Sequence, residues 1–377
     1  IILITPIIYL LFKKNNRMKI SYNFFKKNYL DHNYKYFLLI LLVCNTIWFI
    51  YAPAYRFGIF YNLSLLQLHL NQFKEGWTNF SRRWFVNDFP SEKQDYNIPS
   101  FNLSSHQSVL VWPEQGIGDQ ILFSRFFMNL HNAGIKVYSS VDKKLLPLFK
   151  SSFPFINFVL SGDNLKTQSQ SSIGGLGKFF VNGKEDLNKN SSAYLKVNKD
   201  RSSYIKSQLP KGKKICGLSW LSKNDDLGEY KSLSLEKLQK LLCLKDITFV
   251  DLQYGDTSKE RQDFLNKHGV EVLKIEEIDN YDDIEGLAAL IDACDFVVTV
   301  SNTTAHIAGA IGKETYLMLP RGKGKLWYWS KEHNQSLWYK SIRIIEQKQI
   351  GQWNDVVEEM VDGIKFANFN LSKISCF

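Results

Sequence analysis

Nowhere in this chain of 377 residues are the metal-binding or redox-active side chains paired. The five cysteines (Cys44, Cys216, Cys243, Cys294 and Cys376) are odd in number, far apart and form no CxxC pair. Cys216, Cys243 and Cys294 fall in or beside apolar runs, where cysteine acts as a small buried hydrophobe. That pattern argues against a disulfide framework and a zinc site, and it reads as a reducing compartment. The seven histidines are equally dispersed, without HExxH or His-x-His. No apolar run ends in an Asp-x-Asp pair; Asp279, Asp282 and Asp283 precede a helix and read as caps. The chemistry expected from such a chain is independent of metals and of bound cofactors. A strongly basic face is also lacking. The net charge of +10 comes from scattered lysines, with small clusters at Lys13-Lys14, Lys26-Lys27 and Lys211 to Lys214. Nucleic-acid proteins concentrate charge among aromatics, so no nucleic-acid partner is expected. An anionic substrate or a membrane surface fits this excess. No signal peptide with a cleavage site is recognisable. The chain opens Ile1-Ile2 without methionine, which reads as part of a longer product.

What is present is a globular composition, 45% hydrophobic and 22% charged, in a chain too long for one compact core. Residues 1–95 read as a helical segment, a truncated repeat array or a membrane-associated region. Within it, Asn62 to Phe73 form one amphipathic pattern. The uncharged run Tyr36 to Ala52 reads either as a membrane span or as a buried or interfacial helix. A span there would carry the remainder away from nucleotide pools, so the expected location is the cytoplasm or the inner face of the membrane. Phe89 to Ser100 reads as a linker. Strands and helices then alternate over 106–208 and again over 209–372, joined near Pro210. Ser161 to Gly177, rich in Ser and Gly, reads as loop. Alternation of this kind predicts an α/β fold: two Rossmann-like parallel-sheet domains facing a cleft, behind a helical N-terminal segment.

Two strand-to-helix loops carry the chemistry. In Val109-Leu-Val-Trp-Pro-Glu-Gln-Gly116-Ile-Gly118-Asp119, Gly116 and Gly118 permit a tight turn and close approach of a ligand. Asp119 starts the next helix, where it either faces the crevice or merely caps. In Phe296-Val-Val-Thr-Val-Ser301-Asn-Thr-Thr-Ala-His306, a buried strand runs into Ser301, Asn302, Thr303 and Thr304 at a helix N-terminus. Free N–H groups and the helix dipole there favour a phosphate. An ordinary N-cap is the alternative. A dinucleotide fingerprint is not completed, because Ile121 stands where its third glycine belongs.

Several stretches resemble a known family. They are Asn71 to Trp84, Glu114-Gln-Gly-Ile-Gly-Asp119, Leu146 to Pro154, Ser172-Ile-Gly-Gly-Leu176, Gly217-Leu-Ser-Trp220, Leu252-Gln-Tyr-Gly-Asp256, Ser301 to Ala310 and Ser336 to Arg343. In this order they are similar to the glycosyltransferase module at the C-terminal end of bacterial tetratricopeptide-repeat proteins. Those modules are relatives of the ADP-heptose:lipopolysaccharide heptosyltransferases, of GT-B fold. The likeness covers residues 60 to 360, and residues 1–55 lie outside it. It departs at Ser301, where the heptosyltransferases carry Asp.

The resemblance implies transfer of a sugar from a nucleotide-diphosphate donor to a glycan, lipid-linked or protein acceptor, with inversion. It places the base at Asp119 and a diphosphate-facing cation at Lys223; a solvated loop lysine is the alternative reading for Lys223, and the same reading applies to Lys231. Asn302, Thr303 and Thr304 would hold the leaving group. His306 would donate to phosphate or ribose, or else fill the core. Ser219, Trp220, Gln253 and Tyr254, at strand ends on the same edge, complete the donor side. The two halves are expected to close over the donor. Loss of the carboxylate at Ser301 favours the alternative, a degenerate transferase domain serving as a binding scaffold.

Overall fold

The computed structural model describes residues 53–86, 89–160, 167–189 and 192–373. The Tyr36 to Ala52 run lies outside them. Among the described residues no helix is long and apolar enough to cross a membrane. Helices α1 (Pro53–His69) and α2 (Phe73–Phe80) open the described chain, followed by a 3₁₀ turn at Ser81–Phe85. The amphipathic pattern from Asn62 to Phe73 is therefore not one helix. It breaks at Asn71, whose φ of 62° is the left-handed conformation that Asn tolerates better than most residues. The break folds α2 back against α1, with Gly76 against Leu68.

The first α/β unit has a four-stranded parallel sheet of order β3-β2-β1-β4. Its strands are β1 (Ser108–Trp112), β2 (Lys136–Ser139), β3 (Asn157–Phe158) and β4 (Ser169–Ser172), with helices α3 (Ile117–Ser124), α4 (Phe126–Asn132) and α5 (Leu146–Ser152). Strand β4 corrects the loop expected over Ser161 to Gly177. Its Ser-Gln-Ser-Ser sequence has none of the branched residues that mark strands, yet it pairs with β1 in register from Val109↔Ser169 to Trp112↔Ser172. The Ser169 hydroxyl further donates to the Ser108 carbonyl (2.8 Å).

Helix α6 (Lys199–Gln208) leads into the second unit. Its Arg201 pairs with Asp283 and Glu285, and Lys199 with Asp292, at either end of helix α8 (Ile284–Ala293). This helix therefore packs with the second unit, ahead of the boundary read at residue 209. The strands are β5 (Lys214–Ser219), β6 (Ile247–Asp251), β7 (Val272–Leu273), β8 (Phe296–Val300), β9 (Thr315–Leu319) and β12 (Ile342–Glu346), all parallel. An antiparallel edge of β10 (Lys331–Glu332) and β11 (Gln335–Ser336) follows β12. Counting only the parallel strands, the order β12-β9-β8-β5-β6-β7 is 6-5-4-1-2-3, the doubly wound arrangement. The order reverses between β5 and β8, where such sheets bind ligands. Helices α7 (Ser258–His268), α9 (Thr303–Ile311) and α10 (Asn354–Lys373) complete the unit. Two parallel-sheet units facing one another is the GT-B architecture.

One apolar core runs without a break from α2 through the first unit to one face of the second sheet. A second core, including Trp220, Phe249 and Met360, covers the other face of that sheet. The seam between the units is aromatic. The Trp77 ring lies edge-on to Phe123 of the first unit (6.3 Å) and to Trp327 of the second (5.6 Å). Arg125 Nη1 donates to the Trp338 carbonyl across the same seam (2.8 Å). A core of this continuity predicts a single cooperative unfolding transition for both units. Trp77→Ala should lower that transition as a whole, costing about 3–5 kcal/mol. Scanning calorimetry that resolved two separate endotherms, with only one moved by the substitution, would contradict the shared core.

Candidate functional site

At the end of β1 the chain turns sharply through Gln115, at φ 58°, into Gly116, which starts α3. Asp119 Oδ2 accepts from the Gly116 N–H at 3.3 Å, so the residue does cap its helix as one reading of the sequence held. It also remains partly exposed at the cleft. Burial raises its carboxyl from the ordinary 3.8 to about 7; the neighbouring Glu114 also raises it, while Lys231 opposes the shift. Capping and a poised proton acceptor coexist in one side chain.

Gly118 is required by a close approach, but not by that of a ligand. A Cβ there would stand 2.8 Å from Cδ2 of His306, on α9 of the second unit. The two loops singled out in the sequence thus meet in space. A Cβ at Gly116 would meet only the Asp119 carboxylate, at 3.8 Å.

Across the cleft, Asn302 caps α9 by accepting from the Ala305 N–H (3.3 Å). Its Nδ2 donates to Ser219 Oγ (2.7 Å) and to the Leu221 carbonyl (3.1 Å). Gln253 Oε1 in turn accepts from Ser219 Oγ (3.0 Å) and from the N–H groups of Trp220 (3.1 Å) and Leu221 (2.8 Å). The Gln253 N–H donates to Asp251 Oδ1 at 2.6 Å. Ser219, Gln253 and Asn302 do converge on the reversal point of the sheet, yet they bond to one another there. Their polar atoms pin three strand ends together. The Trp220 side chain points to the far face, where its indole donates to Glu260 (3.0 Å).

The groups at the start of α9 differ in access. Thr303 is half-buried and Thr304 buried, and both N–H groups belong to the first turn, which has no intrahelical acceptor. Ser301 is buried, and its hydroxyl accepts from the Trp329 indole at 2.8 Å. His306 is enclosed by Tyr328, Trp329 and Tyr339, with Nδ1 2.9 Å from the Tyr339 hydroxyl. Burial, and then Lys231, lower its pKa to about 3, so the ring is neutral under ordinary conditions.

The cation at this cleft is Lys231. It ends the short helical turn Gly228–Lys231, is 4% exposed, and its charge acts on both Asp119 and His306. Lys223 instead stands exposed on the rim, 5.8 Å above the ring of half-buried Tyr254, whose hydroxyl accepts from its backbone N–H (2.6 Å). Reading Lys231 as a solvated loop lysine was therefore incorrect. The available signal was Gly228, three residues earlier, where any Cβ would collide with the Ser222 carbonyl. Only glycine lets this loop fold back and carry Lys231 inward. Of the acidic loop, Asp283 caps α8 (2.9 Å to the Gly286 N–H), whereas Asp279 accepts from the Tyr281 N–H within the loop (2.8 Å) and Asp282 pairs with Lys144 (2.7 Å), so capping holds for Asp283 alone.

No protein-family model matches the chain. It is 25% identical over 325 residues to the Protein FlbA of Caulobacter vibrioides, covering 79% of this chain and 53% of that protein. The chain thus spans about half the length of the curated relative it matches. Among solved structures it is similar to the glycosyl transferase family 9 protein of Veillonella parvula (TM-score 0.49, 11% identity, 70% of this chain and 93% of that one). It is also similar to E. coli ADP-heptose lps heptosyltransferase II (0.48, 13%, 67% and 97%) and to E. coli heptosyltransferase WaaC with ADP (0.42, 12%, 68% and 99%).

The two displaced titrations make a stability prediction. Between pH 3.8 and 6.5 the unfolded chain protonates His306 while the folded protein does not, so this residue makes stability rise with pH. Asp119 works oppositely: folding retains a proton that the unfolded chain gives up near 3.8, so its contribution falls as pH rises towards 7. Each slope is at most about 1.4 kcal/mol per pH unit, and they offset one another. Asp119→Asn should therefore unmask stability that rises with pH from 4 to 6.5, and His306→Gln the reverse. Urea midpoints measured across that window check both; parallel profiles in parent and variants would refute the burial argument.

Proposed function

We propose that this protein is a glycosyltransferase that moves a sugar from a nucleotide-diphosphate donor to a hydroxyl of a glycan, lipid-linked or protein acceptor. One observation carries the reading. Asp119, with a carboxyl poised near 7, follows Gly118, which packs against His306 one turn into α9 of the second unit, and buried Lys231 acts on both loops. Transfer requires a base for the acceptor hydroxyl and stabilisation of the departing diphosphate. In this reading Asp119 takes the hydroxyl proton as the new glycosidic bond forms. The N–H and hydroxyl groups of Thr303 and Thr304, the α9 dipole and Lys231 hold the charge left on the diphosphate. Tyr254 and Lys223 lie on the rim beyond the sheet's reversal point, where the nucleoside end of the donor would extend. Charge neutralisation by these groups makes the proposed reaction metal-independent, and the sequence resemblance adds inversion at the anomeric carbon. Placement at the inner face of a membrane, beside helical repeats, belongs to the same proposal.

A second reading, a nucleotide-sugar-binding scaffold without catalysis, is favoured by one observation. Ser301 replaces the carboxylate of the heptosyltransferases, and its hydroxyl is occupied by Trp329.

Assays of the purified protein with a panel of nucleotide sugars separate the two. For the enzyme, Asp119→Asn should slow transfer at least roughly 100-fold with little change in nucleotide affinity. Lys231→Met should weaken nucleoside-diphosphate binding by about 1–3 kcal/mol, and activity should persist in EDTA. Nucleotide binding without turnover in the parent would select the scaffold. Loss of activity in EDTA with recovery on adding Mg²⁺ would overturn the metal-independent mechanism.

A further inference from the structure

The helical segment ahead of the first unit reaches into the loop that carries Asp119. Arg83, in the 3₁₀ turn after α2, is 1% exposed and Glu114 is 2% exposed. They form a two-pronged ion pair, Nε to Oε2 and Nη2 to Oε1, both 2.7 Å. Two more bonds engage the guanidinium. Nη2 also donates to Ser172 Oγ (2.8 Å) and Nη1 to the Phe80 carbonyl (2.9 Å), while the plane lies over the rings of Phe80 (4.2 Å) and Trp84 (4.3 Å). Glu114 Oε1 accepts a further bond from the Gly174 N–H (2.8 Å), and a Cβ on Gly174 would strike that carboxylate. One ion pair thus joins three segments: the helical N-terminal turn, the β1 loop that leads to Asp119, and the turn after β4.

A buried ion pair is a poor device for stability, because desolvation offsets most of the attraction. Its geometry is useful for fixing a backbone. We infer that Arg83 and Glu114 are positioning residues for Asp119: the helical segment supplies the cation that holds Glu114, and Glu114 sets both the path of the β1–α3 loop and the field at the Asp119 carboxylate. The inference rests on the proposed role of Asp119 as base. The groups facing that carboxylate are few: the Gly116 N–H and Glu114 from its own loop, and from the second unit Lys231 and Tyr328, whose phenol is held well above its ordinary range by burial and by Asp119. His306 lies across Gly118 and is uncharged. Glu114 supplies the negative charge among these neighbours that works to keep a proton on Asp119, and Lys231 opposes it.

The test is made on the full chain. Glu114→Gln keeps the shape and can still accept from Gly174 and Arg83, but it removes the charge. The Asp119 carboxyl, followed by carbon-13 NMR and assigned by its loss in Asp119→Asn, should then titrate lower by at least about half a pH unit. Glu114→Asp, which restores the charge, should recover most of that shift. A purely structural role would leave the midpoint unmoved, and an unmoved midpoint in a folded Glu114→Gln protein overturns the inference. Should Glu114→Gln fail to fold, Arg83→Lys provides the second measurement. It keeps the charge and loses the fork, so hydrogen-exchange protection at the Gly116 and Gly174 N–H groups should drop about tenfold or more. Unchanged protection at both also overturns the inference. The two levels fail separately. A parent protein that transfers no sugar defeats the functional reading while the titration remains readable; an active parent with an unmoved titration defeats the positioning role alone.

Discussion

The contact between Gly118 and the His306 ring is the constraint on which the site depends. It sets how close α3 of one unit comes to α9 of the other, and only a residue without a side chain permits it. Paired α/β units usually move relative to each other unless a large apolar interface joins them. Here the interface is of that kind. Trp77, Phe123 and Trp338 lie in the same core cluster with half-buried Trp327 packed against it, and His306 is walled in by three further aromatic rings. The sequence reading expected two halves closing over a donor. The packing instead joins the halves through a continuous apolar seam, so the cleft is preassembled, with Lys223 and Tyr281 left exposed.

Preassembly has an electrostatic cost, and the structure shows where it falls. Asp119 is driven towards neutrality and His306 cannot charge, both through loss of water. The Arg83–Glu114 pair is buried and bonded on nearly every donor and acceptor. At the sheet reversal the hydroxyl and amides of Ser219, Gln253 and Asn302 satisfy one another. Such fully connected networks fix backbone position well, whereas half-satisfied ones are costly. This explains why residues that look ligand-binding in the sequence serve as structural links. A polar side chain at a strand end can hold a neighbouring strand as readily as it can hold a phosphate.

The legibility of the sequence followed the range of the interactions. The parallel alternation, the turn at Gly116 and the start of α9 depend on neighbours within a few residues, and local pattern revealed them. The edge strand β4 was not legible, because its Ser-Gln-Ser-Ser stretch forms a strand through pairing with β1, some 60 residues away in sequence. Lys231 and Lys223 were indistinguishable as loop lysines; only the fold-back at Gly228 sends one inward. The partner of Ser301 is Trp329, 28 positions further on, so the fate of that hydroxyl could not be read locally. Trp220 looked like a cleft residue because it ends a strand. The alternation of sides along β5 instead sends it to the opposite face, into the second core.

The proposed function draws on a short set of groups: the partly exposed Asp119 carboxyl, the first-turn N–H groups of α9 and the charge of buried Lys231. They come from three stretches of chain, two of them in the second unit and one in the first. On the proposed function, neither unit alone supplies both the proposed base and the proposed diphosphate site. On that proposal, the seam that fixes Gly118 against His306 does more than stabilise the fold: it also brings the proposed base beside the proposed leaving-group site. Arg83 extends the same dependence to the helical segment, since the loop bearing Asp119 is tied at Glu114 to a residue outside both sheets. The proposed site would then belong to the assembled body of three parts, through which one apolar core runs.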